Sequence, residues 1–222
     1  MAVGARTTTP PSPSQTAPVS LYLDIAEGQT ADLEVIARAS LAFASAIREA
    51  AYVVDPSMAV RVELLNGTDG SLSLNAVIRA VRSAASEKLT REVLIAAATS
   101  AAIWFSLETG HWVYEKILDH ISGIPEAGHL TDEEKKDIAT RVAEIVQKRT
   151  AHHQVERVYH ELDADPAVRG IGVTNQHGAR PESIVPKSDF PKRSLGMDVV
   201  EGDDIVRRVR RTQERVVLIR PV

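Results

Sequence analysis

The sequence predicts an α+β fold, in which an N-terminal β-α-β-β unit precedes a helical segment and an irregular C-terminal region ending in a strand. Three observations lead to this prediction. Apolar residues alternate with polar ones in the first ordered stretch, apolar residues then recur at helical spacing, and Gly, Pro and charged residues replace helical periodicity beyond residue 164. The expected segments are a disordered tail at 1–18, the β-α-β-β unit at 19–87, the helical segment at 88–163 and the irregular, partly β region at 164–222.

The β-α-β-β unit is predicted from the spacing of apolar residues, which is two in the strands and helical between them. Its first strand has apolar residues at alternate positions, which are Val19, Leu21, Leu23 and Ile25. The helix that follows can be capped by Thr30 or Asp32 and stops before Pro56. Its apolar stripe consists of Leu33, Ile36, Phe43, Ile47, Ala50 and Val54. Two more strands, at 60–64 and 72–78, flank a turn at 66–70, and we expect polar residues to line the sheet face away from the helix.

The helical segment is predicted from caps and apolar stripes. Thr90 can cap a helix that continues to about Ile121, with a kink or break at Gly110. Thr131 and Glu134 have the spacing of a capping box, which opens the next helix. A further short helix is expected at 151–162. Beyond it, a short strand is expected around Ile171, and residues 175–193 are expected to be mostly loop.

A β-type run from Val216 to Ile219 ends the chain without a hairpin mate nearby. A strand needs a partner. Two explanations stay open: the run pairs with a distant strand or another subunit, or the chain is a truncated form of a longer protein.

The stretch from Val93 to Leu107 is fifteen residues without a charge. A membrane-spanning helix needs about 20 apolar residues, so this length favours a buried or self-associating helix. The small side chains of its alanines favour close helix packing, against the helices at 132–148 and 151–162 or against a second copy. The alternative is a membrane anchor at 91–113, because Trp104 and Trp112 resemble interfacial aromatics.

Composition narrows the classes of function. The chain has no cysteine, which excludes disulfides and thiolate chemistry and fits a reducing compartment such as the cytoplasm. The net charge of −4 argues against non-specific binding of nucleic acid by the whole chain. Residues 1–18 contain no apolar core of a signal peptide. We therefore expect a cytoplasmic protein, with membrane association as the alternative.

Motifs for catalysis are not found, and two clusters carry candidate chemistry. The pair of glycines around Ile171 lacks the third glycine of a dinucleotide loop. His153, Glu156 and His160 share one face of the expected helix at 151–162, which is a spacing that metal ligands use, although a fourth ligand is not identified. A basic cluster that could bind phosphate or nucleic acid consists of Arg207, Arg208, Arg210 and Arg211. Residues 151–222 hold 12 Lys and Arg against 11 Asp and Glu, so the region neutralises itself.

The function hypothesis from the sequence is a non-enzymatic interaction or scaffold protein that self-associates through its Ala-rich helix as a homo-oligomer. No cofactor and no small-molecule ligand are inferred. Three alternatives remain: a membrane-associated protein anchored by residues 91–113, an enzyme with a site scattered along the chain, and a basic accessory protein that binds nucleic acid.

Overall fold

The structure, a computed structural model, describes residues 16–68, 72–82, 86–106 and 113–195. The predicted α+β class and the N-terminal β-α-β-β order are confirmed. The described elements are, in chain order, β1 (Thr16–Ile25), α1 (Leu33–Val54), β2 (Ala59–Thr68), β3 (Leu72–Arg82), α2 (Glu87–Trp104), α3 (Val113–Ser122), a 3-10 helix (Pro125–His129), α4 (Asp132–Gln147), α5 (His152–Asp163), β4 (Val168–Thr174), β5 (Val185–Pro186), a second 3-10 helix (Lys187–Asp189) and α6 (Phe190–Ser194).

The five described strands form one antiparallel sheet in the order β2-β3-β1-β4-β5. β1 begins at Thr16, so the prediction of a disordered tail is wrong for residues 16–18. They pair with β3, and the side chain of Ala17 is fully buried in the core. The tail prediction for residues 1–15 lies outside the described residues, as does the strand prediction from Val216 to Ile219.

Helices α1 and α2 pack on one face of this sheet, and α5 packs on α1. The inward residues of β1 and β3 pack against them in one apolar cluster. Asp32 caps α1 by accepting hydrogen bonds from the backbone N–H groups of Glu34 and Val35. Because β4 also contributes to this cluster, strands from both ends of the described chain enclose the same core.

Helix α2 lies in the middle of the protein. Its ten residues from Val93 to Ala102 are at most 2% exposed. One side of the helix packs on α1 and the sheet, and the other side packs on α3 and α4. This stretch therefore contributes both to the core of the β-α-β-β unit and to the apolar cluster with α3 and α4. Within the part of the chain that the structure describes, no helix combines the length and the apolar character needed to cross a membrane.

The ends of α2 differ from the prediction. Ser86 rather than Thr90 caps the helix, accepting a hydrogen bond from the N–H of Leu89. Thr90 lies one turn inside the helix, and its hydroxyl donates to the carbonyl of Ser86. The helix ends at Trp104 instead of continuing to Ile121, and the predicted break at Gly110 lies outside the described residues.

Helix α4 begins with the predicted capping box. Thr131 accepts from the N–H of Glu134, and the Glu134 carboxylate accepts from the N–H of Thr131. Lys88 of α2 lies 2.5 Å from the same carboxylate. The hydrogen bonds from Lys88 and Thr131 lower the pKa of Glu134 to about 2. This one residue therefore joins the starts of α2 and α4.

The other face of the sheet is partly covered, contrary to expectation. Ser20 and Tyr22 on this face of β1 are 0% and 8% exposed. The chain after β4 folds back over it and adds the short strand β5. Gly172 allows this approach, because a Cβ there would lie 2.8 Å from the carbonyl oxygen of Ser183. The two glycines around Ile171 thus belong to a strand, and the region predicted to be mostly loop at 175–193 contains β5 and α6.

Candidate functional site

The free edge of the sheet at β2 is the most distinctive surface of the described protein. Among the described strands, β2 pairs with β3 alone. Its pairing is irregular between Ala59 and Val60 and again between Leu64 and Asn66. Between these irregularities lies a regular run of five residues centred on Val62, which we call the edge run (60–64). In this run the outward N–H and C=O groups can accept another strand.

Apolar side chains line one side of the edge run and are exposed at its end. Val60 and Val62 turn inward and pack partly against the core below α1. Leu64 lies on the same side of the pleat, yet 66% of it is exposed. Leu65, which lies at the irregular position after the run, is 54% exposed. Such a group of exposed large apolar residues at one sheet edge is typical of a surface that another polypeptide covers.

The outward side of the edge run carries opposite charges. One carboxylate oxygen of Glu63 lies 2.9 Å from Nη2 of Arg79 on β3. The other oxygen lies 4.0 Å from Nη1 of Arg61, whose side chain is 64% exposed. Arg61 and Glu63 are two residues apart and therefore on the same side of the pleat. The edge run thus presents one positive and one negative group to anything that pairs with it.

A polar rung, buried at Ser20 and Asn75 and exposed at Asn66, lies just beyond the end of the edge run. Asn66, Asn75 and Ser20 lie opposite one another on β2, β3 and β1. The Ser20 hydroxyl donates to Oδ1 of Asn75 over 2.8 Å, and Nδ2 of Asn75 donates to Oδ1 of Asn66 over 2.8 Å. The backbone N–H of Gly178 also donates to Asn75, and the His177 ring lies 2.9 Å from the Ala76 carbonyl oxygen. The rung therefore holds in place both β2 and the segment that follows β4 and covers the outer face of the sheet, which we call the covering segment.

The alternation of residues predicts that Ser20 and Asn75 lie on the sheet face away from the helix and that Asn66 begins a turn, but it does not predict the hydrogen bonds that join them. Each of the three strands has a polar residue at an outward position, which is the only sign of the rung in the sequence. That these residues lie opposite one another depends on strand register, which the sequence alone does not give.

An aromatic column crosses the helical layer next to α6. The rings of Phe105, Tyr159 and Phe190 follow one another with centroid separations of 5.4 Å. The Tyr159 hydroxyl donates to the carbonyl of Trp104 and accepts from Arg193, whose guanidinium lies 5.5 Å from the ring centroid. Burial raises the pKa of Tyr159 to about 12, against the opposing effect of the Arg193 charge. Tyr159 therefore stays neutral at physiological pH and acts as a packing and hydrogen-bonding group.

His120 on α3 makes the stability of the fold depend on pH. Burial lowers its pKa from 6.5, while the charge of Glu182 works in the opposite direction. As pH falls below 6.5, the unfolded chain takes up this proton more readily than the folded chain, so the free energy of unfolding falls. We expect His120→Gln to flatten this slope in denaturation measured between about pH 5 and pH 8. An unchanged slope would contradict the assignment to His120.

The three candidate metal ligands do not converge. His153 and His160 are exposed on α5, whereas Glu156 is half-buried. The carboxylate of Glu156 lies 3.1 Å from Nε2 of His152, four residues earlier on the same helix, instead of meeting His153 or His160. Residues four apart meet on a helix as readily as residues three apart, which explains this pairing. Within the described part of the chain, no three His, Cys, Asp or Glu side chains are grouped so that they could hold a metal ion.

Two further candidate sites, the basic cluster and a pocket between α1 and α4, are less well supported by the described residues than the edge at β2. The basic cluster of Arg207, Arg208, Arg210 and Arg211 lies outside them and stays a prediction. A pocket of 160 Å³ lies between α1 and α4, lined by Val53, Val54, Arg141, Glu144, Ile145 and Lys148. Most small-molecule sites have about 300–1,000 Å³, so this pocket is small for one.

Comparison with known proteins adds little to this description. No protein-family model matches the chain, and no curated protein matches it. Among solved structures, the chain is similar to a crystal structure of a mutant of the ferredoxin protease FusC in complex with Arabidopsis ferredoxin. The two chains are 11% identical, with a TM-score of 0.22 over 95% of this chain and 26% of that chain. This chain thus spans only a minor part of that protein, and a likeness at this TM-score carries no argument about its fold or function.

Proposed function

We propose that the protein is a non-enzymatic interaction protein that self-associates, and that its interface is the free edge at β2. The observation that carries this proposal is the edge run (60–64), a regular stretch of strand with exposed Leu64 and Leu65 at its end. Strand addition at such an edge gains main-chain hydrogen bonds, and side chains on both faces supply specificity. The absence of cysteine fits work in a reducing compartment such as the cytoplasm.

The edge replaces the Ala-rich helix as the proposed interface. In one chain, the residues from Val93 to Ala102 already have their side chains covered by α1, α4 and the sheet. A second copy could reach them only after these elements had separated, at the cost of the protein's main apolar core. A membrane anchor at 91–113 would meet the same obstacle over its described part. A second copy can reach the edge at β2 without any separation of these elements.

Two matched lysine variants test the proposal. Leu64 beside the edge run and Leu41 on α1 are 66% and 67% exposed, so the same substitution disturbs similar amounts of surface. We expect sedimentation equilibrium to show concentration-dependent association of the unaltered chain. Leu64→Lys should weaken this association about tenfold, because it places an ammonium group at an edge that must be covered, whereas Leu41→Lys should leave it unchanged. A chain that stays monomeric, or two variants with equal effects, would overturn the proposal.

A further inference from the structure

The edge run is symmetric in its pairing and in its chemistry. It has two residues on each side of Val62 before the strand becomes irregular at either end. When two identical edge strands pair antiparallel in a continuous sheet, a two-fold axis passes between them perpendicular to the sheet. Residues that face each other are then on the same side of the pleat, so their positions in the chain differ by an even number. The axis must therefore pass beside one residue of the run rather than between two.

The charges of Arg61 and Glu63 distinguish three possible positions of the two-fold axis, which are beside Arg61, beside Val62 and beside Glu63. An axis beside Arg61 would place two guanidinium groups opposite each other, and an axis beside Glu63 would do the same with two carboxylates. Like charges directly opposite on neighbouring strands are destabilising. An axis beside Val62 instead places Arg61 of each copy opposite Glu63 of the other.

The apolar side of the run agrees with the same register. With the axis beside Val62, each Val60 lies opposite Leu64 of the second copy, and the two Val62 side chains lie opposite each other. Leu64 is 66% exposed in the single chain and would gain an apolar neighbour in this arrangement. All five residues of the regular run thus find a complementary partner.

We infer that the partner at this edge is a second copy of this chain, paired antiparallel with β2 so that the two-fold axis passes beside Val62. This inference rests on the proposed function and specifies its partner and register. The two five-stranded sheets then join into one continuous sheet.

Charge reversal tests the register. In homodimers of Arg61→Glu, or of Glu63→Arg, each of the two pairs between positions 61 and 63 joins like charges, and we expect association to weaken about tenfold. In an equimolar mixture, one chain presents two carboxylates and the other presents two guanidinium groups. Both pairs are then complementary, so sedimentation should show a mixed dimer as stable as the unaltered one. Circular dichroism of each variant checks folding, since Glu63→Arg also removes the ion pair with Arg79. Rescue by mixing cannot come from two misfolded chains.

Cysteine cross-linking gives a second readout, because the chain contains no other cysteine. Directly opposite Cα atoms about 4.5–5.5 Å apart suit a disulfide. An equimolar mixture of Arg61→Cys and Glu63→Cys should therefore cross-link under mild oxidation. Each variant alone should cross-link far less, since its cysteines are diagonal and about 7–8 Å apart.

The outcomes separate the two proposals. Rescue in the mixture and selective cross-linking support the Val62 register. A dimer that Leu64→Lys weakens but that the charge mixture does not restore overturns the register and keeps the edge as the interface. A chain that is monomeric at every concentration overturns both.

Discussion

Replacing Phe105 with alanine is expected to lower the free energy of unfolding by about 3–5 kcal/mol. Phe105 has no exposed surface, and its ring lies 5.7 Å from the Phe43 ring and 5.4 Å from the Tyr159 ring, measured between centroids. These two neighbours come from α1 and α5. Removal of the ring therefore leaves a cavity where α1, α5 and the end of α2 meet.

Urea denaturation of the unaltered chain and the variant measures this effect. Leu41→Ala on the outer face of α1 is the control and should change stability by less than about 0.5 kcal/mol, because Leu41 is 67% exposed. If Phe105→Ala costs less than about 1 kcal/mol, the aromatic column is not a tightly packed part of the core.

The second large effect is expected from Gly172→Ala, which should destabilise the protein by about 2–3 kcal/mol. The added Cβ would lie 2.8 Å from the carbonyl oxygen of Ser183 and 2.9 Å from two side-chain carbons of Pro181. The first of these atoms belongs to the backbone, so the covering segment must move away from the sheet. That movement would expose the outward residues of β1.

Thermal unfolding with Gly128→Ala as the control tests this prediction. No atom lies within 4 Å of a Cβ at Gly128, so the same substitution should have little effect there. Hydrogen exchange provides the structural readout: the Gly178 N–H, which bonds to Asn75, should exchange faster in Gly172→Ala. Equal melting temperatures for both variants would show that the segment does not press on β4.

Features set by neighbouring residues could be predicted from the sequence. The alternation in β1 predicts a strand. The apolar stripe of α1 predicts its inward face at Ile36, Phe43, Ile47 and Ala50, but it is wrong for Leu33, which is 82% exposed in the first turn. Thr131 and Glu134 are three residues apart, so the capping box follows from spacing alone. In each case the interacting groups are close in the chain, and their geometry is fixed by the period of the element.

Features set by distant residues could not be predicted. Ser20 reads as a solvated position until the segment after β4 is known to fold over it. The place of α2 depends in the same way on where α1 and α4 pack. The edge run is visible in the sequence only as alternating residues, because strand order decides that β2 rather than β1 lies at an edge. His152 also shows that helical spacing suggests candidate neighbours without choosing among them.

The central position of β1 has a consequence for how the protein is made. Leu21 pairs with Leu74 on one side and with Val173 on the other, so one neighbour follows soon and the other only after most of the described chain has been synthesised. A nascent chain therefore carries two open strands, β1 and β2, until β4 emerges. The β4 strand of the same chain must pair with β1 before a strand of another chain does, because an unpaired strand edge can pair with any exposed strand nearby. Pairing of β4 with β1 thus leaves β2 as the long edge of the described sheet, because the strand at the opposite edge, β5, has only two residues.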